Sequence, residues 1–429
     1  MMSQKAVICV ILVLPAIVSA VPPPRLDIQP GAKMAVQAKL TAHDRSNGSW
    51  VLEVSTDLVN WTPAGITVDV RNSVQTVPTG KIPAGTYYRL ASLPTPLQKT
   101  VSQTLNLPQT RYTYAAWATP PANLVKTIGT ATINDAKATL GRVLFYDRRV
   151  SRDNSVSCAS CHTQEHAFAD GVALSTGHLG VPTIRNSVSL QHARTYTRGG
   201  MIFWDGRGKT LDASVLEPIA HPDEMGLSLA DLTKKISGEP YYRTLFSAAY
   251  ESSTPTAEKI GECLGDFIEA MVSFRSKYDT GSVTNYANYT AEEKTGKTIY
   301  SSRCSYCHPL GTFTNGTFAN NGLELHYKDR GLAALTGLPT DEGKFRIPSL
   351  RQVELTAPYM HDGRFATLRE VIDFYEQGIV RHQNLTYPLT ETRSKMKESE
   401  KQALEAFLKT LTDKSVQENP AFGDPFLAN

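Results

Sequence analysis

The sequence has almost no excess of either charge: across 429 residues, 44 Lys and Arg stand against 41 Asp and Glu, a net of +3. No dense Lys/Arg run occurs, so the electrostatic footprint of a nucleic-acid binder is missing. Long hydrophobic runs are missing too. The one apolar stretch, residues 6–18, falls short of the roughly 20 residues a membrane span needs. Cysteine is scarce, with six in the whole chain, which excludes a small scaffold held together by many disulfides. Only 20% of residues are charged while 41% are hydrophobic, so the chain can bury cores and is not a disordered polymer. Its length suits roughly two to four domains.

What is present begins at the amino terminus. Lys5, the apolar stretch and the small residues Ser19 and Ala20 form the pattern of a secretion signal, residues 1–20, cut after Ala20. An uncleaved anchor is the alternative. The mature chain is then expected in the periplasm or outside the cell. Residues 21–91 are expected to form one module: 22–32 are a Pro-rich extended lead-in, and 33–91 alternate apolar and polar with a period of two, Met34, Val36, Ala38 and Leu40 sharing a face, as do Trp50, Leu52 and Val54, and Ile66, Val68 and Val70. Asn47-Gly48 and two Pro-Ala-Gly turns punctuate them. The pattern predicts a small all-β sandwich and resembles an Ig-like or fibronectin-like module. It carries no catalytic constellation and reads as a spacer or docking module. Residues 92–122, rich in Ser, Thr and Pro, are expected to be a linker.

Beyond this the character turns helical, and the fold class expected is a small sandwich followed by two mostly α domains, 123–280 and 281–415, with a tail at 416–429. Leu140, Val143 and Leu144 mark a helix running into the first Cys pair, and Ser228 caps another. Ile260, Leu264, Phe267, Met271 and Phe274 fall at helical spacing. Thr290 with Glu293, Thr367 with Glu370, and Ser399 with Gln402 are helix-opening capping pairs.

Four of the six cysteines sit in two identical C-x-x-C-H motifs: Cys158, Cys161, His162 and Cys304, Cys307, His308. In such a motif two thiols add to haem vinyl groups and the adjacent His becomes the proximal iron ligand. A zinc site would need four ligands gathered across two distant pairs, and a redox dithiol would not need the His. Two covalently bound haem c groups are therefore expected, within a repeated helix–motif unit. Cys263 lies on the apolar side of its helix and reads as an inert core thiol. The ligand opposite each His decides the chemistry: two closed haems make an electron carrier, and one open haem makes an enzyme.

The segment 140–162 (LGRVLFYDRRVSRDNSVSCASCH) resembles the first haem site of the bacterial di-haem cytochrome c peroxidase and MauG family. So do Arg185-Asn186, the FWDGR stretch from Phe203 to Arg207, the PDEM stretch from Pro222 to Met225, the PSLR stretch ending at Arg351, and LTAPYMHDGRFATL at 355–368. The likeness spans residues 120–412 and leaves out the sandwich.

The resemblance implies that peroxide reacts at the first haem while the second passes electrons. It makes Glu224 the distal acid–base, where a helix-start Glu is the plainer reading. It makes Trp204 the relay between the haems, against a simple core Trp. Asp205 and Arg207 would only orient that turn. His178, in a Gly-rich loop, matches a residue that closes the first haem in a redox-dependent way in the peroxidases; otherwise it is a plain surface His. His166 is the rival. Ser214 stands where the peroxidases often place Gln. Asn186, Thr356 and Pro358 match the ligands of a calcium ion between the haems, two of them through backbone carbonyls. Tyr375 falls where the peroxidases have the Met ligand of the second haem and MauG-type enzymes have Tyr; Met360 is its rival, and neither ligating is the third reading.

The function expected is reduction of hydrogen peroxide to water with electrons from a small cytochrome c or a cupredoxin. One alternative is a MauG-like oxidase, which uses a high-valent di-haem state to modify Tyr or Trp of a partner protein. The other is a di-haem carrier without catalysis. A homodimer is compatible with any of them.

Overall fold

In the computed structural model the described residues are 104–426, apart from 109, 122–129, 198–200 and 392–393, together with the backbone of six strands nearer the amino terminus. The chain divides into two compact units, Met1–Thr104 and Leu105–Asn429. The expected signal lies outside the described residues, as do residues 93–103, 109 and 122 of the expected linker.

The first unit contains β1 (Arg25–Gln29), β2 (Ala35–Lys39), β3 (Trp50–Ser55), β4 (Thr62–Val68), β5 (Val74–Pro78) and β6 (Tyr87–Ser92). They form two three-stranded antiparallel sheets, ordered β1-β2-β5 and β4-β3-β6. Trp50 pairs with Val68 on one side and Ser92 on the other. The period-two segments are thus strands. The side chains that would join the sheets as a sandwich lie outside the described residues.

The second unit is mostly helical. Its longer helices are α1 (Asp135–Tyr146), α2 (Leu229–Gly238), α3 (Pro240–Ala249), α4 (Ala257–Glu269), α5 (Ala291–Arg303) and α6 (Glu398–Lys409). Each starts where the sequence offers its free N–H groups an acceptor or needs none. Asn134 accepts from Ala136 and Lys137 at α1, Thr256 from Lys259 at α4, and Ser228 from Asp231 at α2. Pro240 opens α3 at a position that needs no N–H. Thr290 and Glu293 form the expected capping box at α5, and Thr367 with Glu370 does the same for the short helix Leu368–Asp373.

Three expectations are corrected. α1 stops at Tyr146, and a loop separates it from the helical turn Cys158–Cys161. α4 ends at Glu269, so Met271 and Phe274 lie beyond it, although Met271 is still fully buried. α6 opens at Glu398 with Glu400 back-bonding Lys397, not with the Ser399–Gln402 pair.

The unit repeats one device twice. α1 crosses α4 at Gly141, where an added Cβ would lie 1.9 Å from the Cys263 carbonyl oxygen; α5 crosses α6 at Gly296, where it would lie 1.8 Å from the Ala403 carbonyl oxygen. Only a hydrogen side chain allows backbones so close. Each crossing anchors the helix that precedes a C-x-x-C-H motif. Phe145, Leu140, Leu144, Leu264 and Phe267 close the first core, and Tyr300, Phe313, Leu404 and Phe407 the second. Each such side chain contributes about 1.5–3 kcal/mol of burial. The carboxy-terminal residues return to the first core: the Tyr114 and Tyr146 hydroxyls donate to the Ala421 and Phe422 carbonyls at 2.7 Å, and Arg142 Nε donates to the Gly423 carbonyl at 2.7 Å.

Candidate functional site

The two motifs are built alike. Ser157 and Ser160 cap the turn Cys158–Cys161, and the His162 N–H closes it on the Cys158 carbonyl at 3.0 Å. At the second motif Cys304 caps the end of α5, and the His308 N–H reaches the Cys304 carbonyl at 2.9 Å. His162 Nδ1 lies 2.8 Å from the Phe168 carbonyl oxygen and His308 Nδ1 lies 2.9 Å from that of Phe313. Both phenylalanines have positive φ, 58° and 57°, which turns each carbonyl onto the ring. A carbonyl can only accept, so Nδ1 carries the proton and Nε2 is the nitrogen that could take iron. Burial keeps both imidazoles neutral, pushing His308 down to about 4.

No disulfide joins Cys158 to Cys161. Burial pushes Cys158 up to about 12 and Cys161 up to about 11. No cluster of three or more His, Cys, Asp or Glu side chains that could hold a metal ion occurs among the described residues. Cys263 is fully buried, its thiol also pushed up to about 12 by burial, as befits an inert core residue.

A deep cavity opens beside the second motif. Cys304, Cys307 and His308 line it, and so do Met360, Tyr375, Trp204, Asn186, Thr356 and Pro358. Residues scattered over 190 positions of sequence are thereby brought to one space. The cavity also holds buried polar atoms that the protein leaves unsatisfied: Arg346 Nη1 and both amide atoms of Gln191. Arg346 is 3% exposed, its Nε donates to the Phe203 carbonyl at 2.9 Å, and its guanidinium lies 3.6 Å from the centre of the Tyr196 ring. A buried cation needs an anion, and haem carries two carboxylates. Histidines oriented through Nδ1, a walled cavity and a buried guanidinium whose Nη1 has no partner among the described residues together fit haem.

Tyr375 lies in the π-helical turn Phe374–Gly378, a departure from α geometry common at functional positions, and leaves 38% of its surface open in the cavity-lined structure. Met360 has φ +77°, unusual for a residue with a side chain. Both rival ligands approach the same amide: Asn321 Nδ2 is 3.4 Å from Tyr375 Oη and 3.6 Å from Met360 Sδ.

Trp204 packs against Leu323, Tyr327, Phe345 and Phe374. Its indole N–H donates to the Asn186 carbonyl at 2.8 Å, and its own carbonyl accepts from the Arg346 N–H at 2.8 Å. The neighbouring Ser187 hydroxyl donates to the Cys161 carbonyl at 2.8 Å and lies 3.3 Å from His162 Nδ1. A short run of bonds therefore connects the first motif to the indole in the second cavity. Arg185 braces this region between Asp205, at 2.6 Å, and Asp329, at 2.7 Å, while Arg207 pairs with Asp205 and Glu217. Asp205 and Arg207 are thus ion-paired to each other within the turn that carries Trp204.

Both amide hydrogens of Asn186 go to the Val172 and Ala173 carbonyls, each at 3.1 Å, so Oδ1 is the atom available as a ligand. Glu224 is half-buried, 3.7 Å from His221 Nδ1, and its charge acts on the Cys161 thiol. Burial raises its carboxyl above the usual range, against the opposing pull of His221 and Arg207.

His178 is packed onto the Glu224 turn. Its N–H donates to the Glu224 carbonyl at 2.7 Å and its Nε2 to the Pro222 carbonyl at 3.0 Å. Nε2 is thus engaged by a carbonyl, while Nδ1 lies buried 3.7 Å from Asp153 Oδ2. Gly226, at φ +63°, makes the packing possible, since a Cβ there would meet Nε2 at 2.2 Å. His166 turns instead to the Thr163 hydroxyl at 2.8 Å. The Ser214 hydroxyl donates to the Thr210 carbonyl of its own turn at 2.6 Å, so it adds no free polar group.

Sequence reasoning missed Asn321, Arg346, Gln191 and Ser187. The Asn-Asn-Gly turn at 320–322 and the Arg two residues before Pro348 were the available signals. Neither specifies a contact.

The profile of the family described as di-haem cytochrome c peroxidase matches residues 135–285. The methylamine utilization protein MauG of Methylorubrum extorquens is 32% identical over 279 residues, 64% of this chain and 78% of the relative. The cytochrome c551 peroxidase of Nitrosomonas europaea is 30% identical over 305 residues, 68% and 84%. A solved MauG-like protein associated with microbial copper homeostasis superposes with a TM-score of 0.64 at 34% identity, covering 72% of this chain and 97% of that one. The chain belongs to the di-haem cytochrome c peroxidase and MauG family of oxidoreductases.

Proposed function

We propose that this chain reduces hydrogen peroxide to water at the haem on His162, with electrons entering through the haem on His308. The observation that carries the proposal is the bonded run from His162 through Ser187 and Asn186 to Trp204 in the second cavity. Bound covalently, the haems supply an iron that takes peroxide and irons that pass single electrons. Glu224 moves the peroxide proton from one oxygen to the other; its half-buried carboxyl and raised proton affinity suit that task. Trp204 provides an oxidisable ring between the two sites. Asn186, Thr356 and Pro358 hold a calcium ion at the junction, waters completing the shell. The chain works in the periplasm after loss of residues 1–20; among the described residues no helix is long and apolar enough to cross a membrane. Its donor is a small cytochrome c or a cupredoxin.

A second reading, oxidation of a Tyr or Trp on a partner protein, is favoured by Tyr375 lining the same cavity as His308. Stopped-flow absorption with one equivalent of peroxide separates the readings. Reaction of only the half-reduced protein supports the donor-driven peroxidase. Immediate reaction of the fully ferric protein, with a persistent product, supports the oxidase. No reaction in either form refutes both and leaves an electron carrier.

A further inference from the structure

We propose that Asn321 decides which side chain takes the distal place on the second haem, holding Tyr375 there in preference to Met360; the inference rests on haem attachment at Cys304, Cys307 and His308. The Asn321 amide has two hydrogens and two acceptors within reach, Tyr375 Oη at 3.4 Å and Met360 Sδ at 3.6 Å. All three side chains line the cavity that His308 lines. One donor therefore fixes where both rival ligand atoms stand.

The donor itself is held firmly. Asn320, fully buried, accepts from the Gly322 N–H at 2.9 Å and from the Tyr327 hydroxyl at 3.2 Å, and donates to the Glu342 carbonyl at 3.1 Å. Gly322 in turn accepts from the Val380 N–H at 2.8 Å, and a Cβ on it would meet the Val380 carbonyl oxygen at 2.6 Å. The backbone on both sides of Asn321 is thus clamped, and its amide is delivered to one spot.

The two acceptors gain unequally from that amide. A phenolate carries a full negative charge, and a charge-assisted hydrogen bond is roughly twice as strong as a neutral one. A thioether is a weak acceptor. A donor placed equally close to both therefore favours Tyr375 as the ligand and leaves Met360 beside it. The chain also holds each rival on an unusual backbone, Met360 at φ +77° and Tyr375 in a π turn.

The test uses the purified ferric protein with both haems attached. Resonance Raman bands of tyrosinate on iron, the near-infrared thioether-to-iron band, and the midpoint potential of the second haem are read in Asn321→Leu and in the isosteric Asn321→Asp, which replaces the donor with an acceptor. Expected are loss of the tyrosinate bands, appearance of the thioether band and a rise in potential, since thioether ligation raises it. In Asn321→Leu combined with Met360→Leu the thioether band should be absent. Should the Leu variant not fold, the Asp variant carries the test. Tyrosinate bands that persist in the folded variants, or a thioether band already in the unmodified protein, overturn the proposal. Fewer than two haems per chain by pyridine haemochrome would instead overturn the haem assignment beneath it.

Discussion

Arg351 ties the second haem's proximal loop to the rest of its domain, and replacing it with Met should cost about 3–4 kcal/mol of stability. Its guanidinium grips Asp279 with two bonds, at 2.9 and 2.8 Å, and its Nε donates to the Gly311 carbonyl at 2.9 Å. A further bond reaches the Ser273 carbonyl at 3.1 Å. The side chain is only 2% exposed, so little water can replace these partners. Breaking one side of a buried pair costs about 3–5 kcal/mol, because the other charge is left uncompensated. Asp279 keeps two consolations, the Ser276 N–H at 3.1 Å and the Ser276 hydroxyl at 2.7 Å, which argues for the lower half of that range. The stranded Gly311 and Ser273 carbonyls add up to about 1 kcal/mol each, offset in part by the buried Met side chain. Urea unfolding of the haem-loaded protein should show the midpoint fall. A cycle with Asp279→Asn should show the double variant losing at least about 2 kcal/mol less than the two singles summed. Additive losses, or a loss below about 1 kcal/mol for Arg351→Met, would refute the reasoning. Because Gly311 and Phe313 share a loop and the Phe313 carbonyl orients His308, the variant should also broaden the second haem's spectrum.

Glu224→Gln should lower kcat/KM for peroxide by about 10²–10⁴ with both haems retained. The acid limb of the pH–rate profile should lie above the ordinary carboxylate value, since burial raises this group, and should vanish in the variant. Trp204→Phe keeps an apolar ring among Leu323, Phe345 and Phe374 but removes the donor to Asn186. Stability should drop by about 1 kcal/mol, while electron transfer between the haems slows and the first encounter with peroxide is unchanged in stopped flow. Burial raises the Asp266 carboxyl to about 6, so the folded protein keeps a proton that the unfolded chain has already released. Stability should therefore decline as pH rises from about 4 to about 6, by roughly 1 kcal/mol once solvent screening of a part-exposed group is allowed for. Asp266→Asn should flatten that decline in denaturation midpoints taken across the range.

The haem motifs were legible because covalent attachment fixes a local spacing: two thiols and a His must lie within one turn of chain. Helix starts were legible for a similar reason, as the Thr290–Glu293 and Thr367–Glu370 boxes close within three residues. Where the local signal was weaker, it misled. Ser399 and Gln402 fit a capping pattern, yet α6 is capped two residues earlier, at Lys397, with the Lys397 N–H donating to Glu400 at 2.6 Å. Met271 and Phe274 kept helical spacing past Glu269 without remaining in the helix. An apolar residue can be buried from a loop as well as from a helix face.

The distal side of the second haem belongs to a different class of fact. Asn321, Met360 and Tyr375 come from a turn, a loop and a π-helical end, and no local rule links them. Arg346 reaches the cavity only because its backbone N–H meets Trp204 across the fold. The place of His178 is likewise set from afar, its ring engaged by Pro222 in a turn 44 residues on.

The two C-x-x-C-H motifs, the helical character of the unit that holds them and the family to which it belongs are written locally, because each rests on bonds or periodicities closed within a few residues. The packing of the fold set the rest: Arg346 buried in the second cavity against Tyr196, His178 lying on the Glu224 turn, and one amide touching both Tyr375 and Met360. Contacts between residues far apart in the chain depend on the packing of whole elements, and that packing is encoded by the sum of many weak burials rather than by any short motif.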